Sequence, residues 1–131
     1  MGRREEVEVI VTDEMAARFP SPIGLVHPLY STWAMVHHME WAARKVLEPF
    51  LEDHEQGVGS YIKVRHLAPC PIGEKVRVVA EAVEVEPHRL VCQVEAWWGE
   101  TLLGVGKQEQ RIVDREGFKR FYRPPRPGRT G

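Results

Sequence analysis

Three polar residues stand where the surrounding pattern calls for burial, and their types are those of acid–base and nucleophilic chemistry. Glu40 lies between Met39 and Trp41. An apolar, aromatic setting desolvates a carboxylate, raises its pKa and suits it to work as a base or nucleophile. His66 closes the apolar face formed by Val58, Ser60, Ile62 and Val64, and imidazole is the side chain that exchanges protons nearest neutral pH. Thr32 heads a long segment of helical periodicity, where a hydroxyl either caps the helix or donates to a developing oxyanion. Read singly, each has a plainer account: Glu40 as part of a solvated stripe with His37 and Arg44, His66 as a satisfied structural histidine, Thr32 as a simple cap. His37, His38, His54 and His88 lack metal-ligand spacing, so no metal is expected. No nucleophile elbow, P-loop or GxGxxG fingerprint is present. Gly104-Val105-Gly106 is a lone GxG within a strand pattern and reads as a close backbone approach.

The elements that must position these residues follow from period and punctuation. Residues 6–12 alternate and predict a short strand. Residues 13–30, broken by Pro20, Pro22, Gly24 and Pro28, predict a turn of helix at 13–18 and then an irregular approach. From Ser31 or Thr32, either a plausible N-cap, to about Leu51, apolar residues recur at Met35, Met39, Ala42, Ala43, Val46, Leu47 and Phe50, which is helical spacing. Pro49 predicts a bent or separate last turn. Beyond Gly57 the period becomes two. Strands are predicted through Val58–His66, Val76–Ala82, Leu90–Trp98 and Leu103–Val113, divided by turns at Pro69–Gly73, Pro87-His88 and Gly99-Glu100. Arg115 to Tyr122 predicts a helical turn. Strands this long exceed the usual five or six residues and suit an α+β hotdog architecture: one long central helix wrapped by a curved five-stranded antiparallel sheet. One helix covers only one face of such a sheet, so a second chain is expected, as a homodimer or a dimer of dimers.

At 131 residues the chain suits a single domain, taken as 1–122, with 123–131 a flexible Pro/Gly/Arg tail. It is 43% hydrophobic and 28% charged with a net charge of −1, which argues for a globular core and against nucleic-acid or membrane partners. Cys70 and Cys92 suit two reduced thiols in a cytoplasmic protein. Neither a signal peptide nor an apolar run of membrane-spanning length is seen.

Tyr30-Ser31-Thr32-Trp33, then Met39-Glu40-Trp41-Ala42, then Val64-Arg65-His66-Leu67-Ala68-Pro69-Cys70-Pro71-Ile72-Gly73 resemble, in order and spacing, the fluoroacetyl-CoA thioesterase-like branch of the hotdog superfamily. The resemblance covers roughly residues 20 to 113. It implies an acyl-CoA thioesterase that cleaves a small acyl-CoA without a cofactor, with Thr32, Glu40 and His66 catalytic and with Tyr30, Trp33 and Gly59 against the substrate. The chain departs from the branch at two places. Bulky Trp33 follows the threonine where a small residue is common, and Gly106-Lys107-Gln108-Glu109-Gln110 stands where the branch has Gly-Thr-His-Glu-Arg. Fluoroacetyl specificity is therefore not carried over.

On one straight helix, Thr32 and Glu40 would be about 12 Å apart along the axis and about 80° apart around it. Either Thr32 precedes the helix, or each site mixes residues from two chains; the second is preferred. Glu40 then delivers water or attacks, Thr32 and helix-start N–H groups hold the oxyanion, and His66 orients the acid and supplies a proton. Two other readings are an acyl-CoA-binding protein without catalysis, and a hydratase or dehydratase built on Val26-His27-Pro28 with Glu40.

Overall fold

The computed structural model describes residues 2–122; the tail expected at 123–131 lies outside them. In chain order the elements are β1 (Arg4–Ile10), a 3-10 turn (Asp13–Met15), β2 (Ala16–Arg18), β3 (Leu25–Tyr30), α1 (Thr32–Leu47) with a 3-10 turn (Glu48–Phe50), β4 (Glu55–His66), β5 (Lys75–Glu86), β6 (Arg89–Trp98), β7 (Thr101–Asp114) and α2 (Arg115–Phe118) with a last 3-10 turn (Lys119–Tyr122). Strands β1-β5-β6-β7-β4 form one antiparallel sheet in that order, and β2 pairs with β3 beside it.

Alternation decides what the sheet buries. Val76, Val78, Ala80 and Ala82 of β5 and Leu90, Cys92, Val94 and Ala96 of β6 are buried on the face that meets α1. The helix answers with Ala34, Met35, Met39, Ala42, Ala43, Val46 and Leu47, its own buried stripe. Each fully buried Val, Leu or Met side chain among these is worth about 1.5–3 kcal/mol. This is the expected hotdog arrangement of a sheet around one central helix. Gly99, at φ 56°, makes the tight turn that lets Trp98 pair with Thr101.

Several local details differ from the alternation. Ser31 is the cap of α1, its Oγ accepting from the Ala34 N–H at 3.2 Å, so Thr32 is the first helical residue and its hydroxyl takes no part in the cap. Pro49 falls in the separate 3-10 turn, where its missing N–H costs no hydrogen bond. The approach segment contains β2 and β3, a pair with irregular register that tolerates Pro28 because neither strand lies within the large sheet. On β4 a bulge between Gly59 and Tyr61 reverses the facing of the strand. Gly57 and Gly59 lie against α1 ahead of it, and Ile62 and Val64 pack on the core after it, in place of a single face running from Val58. On β7 the inner positions are Gly104, against Met35, and the buried Gln108 and Gln110, whereas Val105 looks outward.

Strand β4 ends the sheet with twelve residues that pair on one side only. The helix face away from the sheet is also uncovered: Trp33 is 52% and Trp41 47% exposed.

Candidate active site

The Ser31 cap and the end of β4 bring two predicted residues together. Thr32 Oγ1 lies 2.8 Å from His66 Nδ1, a hydrogen bond across 34 residues of chain. Burial holds the His66 pKa below the ordinary imidazole value, and nearby His27 acts the same way, against the raising effect of the Ala68 backbone. A neutral imidazole at pH 7 has two ways to meet a hydroxyl. With its proton on Nδ1 it donates to Thr32 Oγ1 and leaves the hydroxyl hydrogen free for another acceptor; with its proton on Nε2 it accepts that hydrogen and polarises the oxygen. His66 Nε2 and His27 Nδ1 are buried without a hydrogen-bond partner, and both residues line one cleft with Leu29, Tyr30, Leu67 and Pro69.

Glu40 belongs to a second group, two turns along α1. It is exposed in the single chain, and no hydrogen bond or ion pair holds it among the described residues. The desolvation expected for it is therefore absent within one protomer. Its carboxylate lies over Gly59: a Cβ there would sit 3.3 Å from Glu40 Oε2 and 3.6 Å from Gln108 Nε2. Glycine thus keeps open a gap between a carboxylate and a carboxamide. That gap opens into a cavity of about 590 Å³ lined by His37, Glu40, Trp41, Arg44, Gly59 and Gln108. Arg44 is engaged elsewhere, with Glu48 and with the Gly57 carbonyl at 2.9 Å.

Trp33 stands exposed beside Thr32. Tyr30 is completely buried, and its hydroxyl meets His38 Nδ1 at 2.6 Å. Burial, and then neighbouring His37, push the His38 pKa down to about 4, so this ring is neutral and its tautomer decides which partner donates; burial pushes the phenol's own pKa up. Tyr30 therefore reaches a ligand only through the cleft wall that it shares with His66.

The chain thus joins Thr32 with His66 and Glu40 with Gly59, and no hydrogen bond links the two groups. Sequence reasoning set no role on Gln108, which is 2% exposed with a buried Oε1 that finds no partner, or on Gln110, whose Nε2 donates to the Ala43 carbonyl at 3.1 Å. Nothing in the sequence signals them, because Lys107, Glu109 and Arg111 beside them are charged and the apolar alternation lapses over this stretch. Together the parts comprise a carboxylate beside an open cavity, and a hydroxyl–imidazole pair at a helix start. They are what acyl transfer to water requires.

Comparison with known proteins points the same way. The family model described as fluoroacetyl-CoA-specific thioesterase matches residues 11–116. The fluoroacetyl-CoA thioesterase of Streptantibioticus cattleyicolor is 36% identical over 99 residues, which are 76% of this chain and 71% of that one. A Thermus thermophilus hypothetical protein of the thioesterase superfamily superposes with a TM-score of 0.87 at 44% identity, covering 92% of this chain and 88% of the other. A point mutant of a fluoroacetyl-CoA thioesterase in complex with acetyl-CoA superposes with a TM-score of 0.82 at 31% identity, covering 94% and 98%.

Proposed function

Since the chain belongs to the fluoroacetyl-CoA-specific thioesterase family, we propose that it hydrolyses a small acyl-CoA to the free acid and CoA in the cytoplasm, at sites shared between two protomers. The observation that carries this reading is the 2.8 Å Thr32–His66 contact, which assembles two of the three residues that the family resemblance singles out.

Two protomers are supplied by the unpaired edge of β4 and the uncovered Trp33–Trp41 face of α1, which a second copy buries together. Each site then takes Glu40, with Gly59 beneath it, from one protomer and the Thr32–His66 pair from the other, as a homodimer or a dimer of such dimers. Covering Glu40 supplies the desolvation that it lacks alone.

In this arrangement the Glu40 carboxylate removes a proton from water while the water oxygen bonds to the thioester carbon. The carbonyl π pair moves onto oxygen. That oxyanion is held by the Thr32 hydroxyl and by N–H groups at the start of α1. On collapse the C–S bond breaks, its electron pair leaves with sulfur, and the proton held by Glu40 passes to the thiolate. His66, kept neutral by burial, donates through Nδ1 to Thr32 and aims its hydroxyl at the oxyanion. Orientation therefore suits it better than the proton-donating role expected from its residue type. Trp33 and the Tyr30 wall bound the acyl end.

A thiol-release assay over short, branched and aromatic acyl-CoAs tests the reading, and steady CoA release from short acyl chains is the expected result. Binding of CoA esters with no release across the panel decides for an acyl-CoA-binding protein. Hydration of an enoyl-CoA with no free thiol decides for a hydratase.

A further inference from the structure

On the sheet face opposite α1, β4, β6 and β7 line a concavity of about 640 Å³ whose walls are cationic. Lys63 of β4 and Lys107 of β7 are direct cross-strand partners, and Gln93 of β6 is the partner of Lys107 on its other side. Arg65 and Tyr61 flank Lys63 two residues away in each direction, so all of these side chains share the outer face. Val105 and the Gly106 backbone are also part of the lining.

Like charges set directly opposite each other weaken strand pairing, and no carboxylate among the described residues pairs with either lysine. Lys63, Arg65 and Lys107 form no ion pair among the described residues, whereas Arg89 is held by Glu84, Glu86 and Glu109, and Arg111 by Glu109. Of the carboxylates on this face two accept hydrogen bonds, whereas Glu81, cross-strand partner of Gln93, forms none among the described residues. Glu109 accepts from Arg89 at 2.8 Å and from Ser60 at 2.7 Å, and Glu95 accepts from the Trp97 indole N–H at 3.2 Å. Three free cations, an amide and a 54% exposed tyrosine ring converge on one hollow. Such a set matches phosphate groups joined to an aromatic base.

We propose that this concavity binds the phosphates of a nucleotide, with Lys63, Arg65 and Lys107 on the phosphate oxygens and Tyr61 against the base. The nucleotide is either the phosphorylated adenosine end of CoA, a form of the proposal that rests on the thioesterase reading, or a free nucleotide. The same strand would serve both ends of a CoA ester, since β4 presents Gly59 and His66 on one face and Tyr61, Lys63 and Arg65 on the other.

Calorimetric titration with adenosine 3′,5′-bisphosphate tests the site in wild type and in the double variant Lys63→Ala/Lys107→Ala. Both lysines are exposed, so the variant stays folded, and a thermal melt at or above that of wild type verifies it. Wild type is expected to bind with an affinity that falls steeply with salt, and the variant to bind at least about tenfold more weakly. Absence of binding to wild type, or equal binding by the two proteins, overturns the proposal. Hydrolysis then separates the sources. A KM raised about tenfold for an acyl-CoA, with kcat and the KM for the matching N-acetylcysteamine thioester unchanged, assigns the site to CoA itself. Weakened bisphosphate binding with an unchanged KM assigns it to a free nucleotide. If wild type cleaves neither thioester, the thioesterase reading falls, and the calorimetry still decides the site.

Discussion

Replacing Glu40 by glutamine is expected to lower kcat about a thousandfold, with the protein folded and its oligomeric state unchanged. The substitution preserves shape and removes only the negative charge. Within the chain Glu40 is exposed and no hydrogen bond or ion pair depends on it, so stability has little to lose. Its neighbours over Gly59 are two carboxamides, the Trp41 indole, the His37 imidazole and a guanidinium already occupied with Glu48 and the Gly57 carbonyl. Of these only the His37 imidazole is able to accept a proton from water in its place. Because the lost interaction is with the reacting water and not with bound substrate, kcat should fall much further than KM changes. Steady-state kinetics beside circular dichroism and size-exclusion chromatography check this. An unchanged rate removes Glu40 from the mechanism.

The second large effect is structural. Gly106→Ala is expected to cost more than about 3 kcal/mol. A Cβ at this position would lie inside the van der Waals contact of the Lys63 backbone oxygen and 3.2 Å from Val64 Cα. Those are backbone atoms in a paired strand and cannot rotate aside, unlike the far end of a flexible side chain. Strand β4 must move away from β7, and with it go Gly59 and His66. The melting temperature and thioesterase activity should therefore fall together, whereas Lys107→Ala on the next residue leaves both the fold and turnover of a CoA-free thioester intact. A melting temperature for Gly106→Ala equal to wild type contradicts the close approach.

Much of this architecture was legible because it is local. The helix announces itself through Met35, Met39, Ala42, Val46 and Leu47, all buried. The turn at Gly99-Glu100 and the close approach at Gly106 follow from what glycine permits. The bulge after Gly59 was not legible, because Val58 and Ser60 continue the alternation and only the register against β7 reveals the extra residue. On β7 no apolar alternation marks the inner face, where the structure places Gln108 and Gln110. Ser31 and Thr32 are equally good caps by type, and only the Ala34 contact separates them.

The site was legible unevenly. Thr32, Glu40 and His66 emerged from their order in a family-like pattern, yet a contact across 34 residues leaves no periodicity to read. Helix geometry did anticipate that Thr32 and Glu40 would not meet on one helix. The structure removes one of the two ways around this, since Thr32 lies within α1 and not before it. Its partner is His66, and that of Glu40 is Gly59. Tyr30, expected against the substrate, is buried with its hydroxyl on His38, a contact that no periodicity announces.

Complementation between two inactive variants tests most directly whether protomers share a site. Glu40→Gln and His66→Ala are each purified as inactive protein, then unfolded and refolded together in equal amounts. If Glu40 from one chain works with His66 from the other, each mixed dimer regains one intact site of two, and the mixture recovers roughly a quarter of wild-type activity. A mixture that forms mixed dimers and stays as inactive as its components contradicts the shared site.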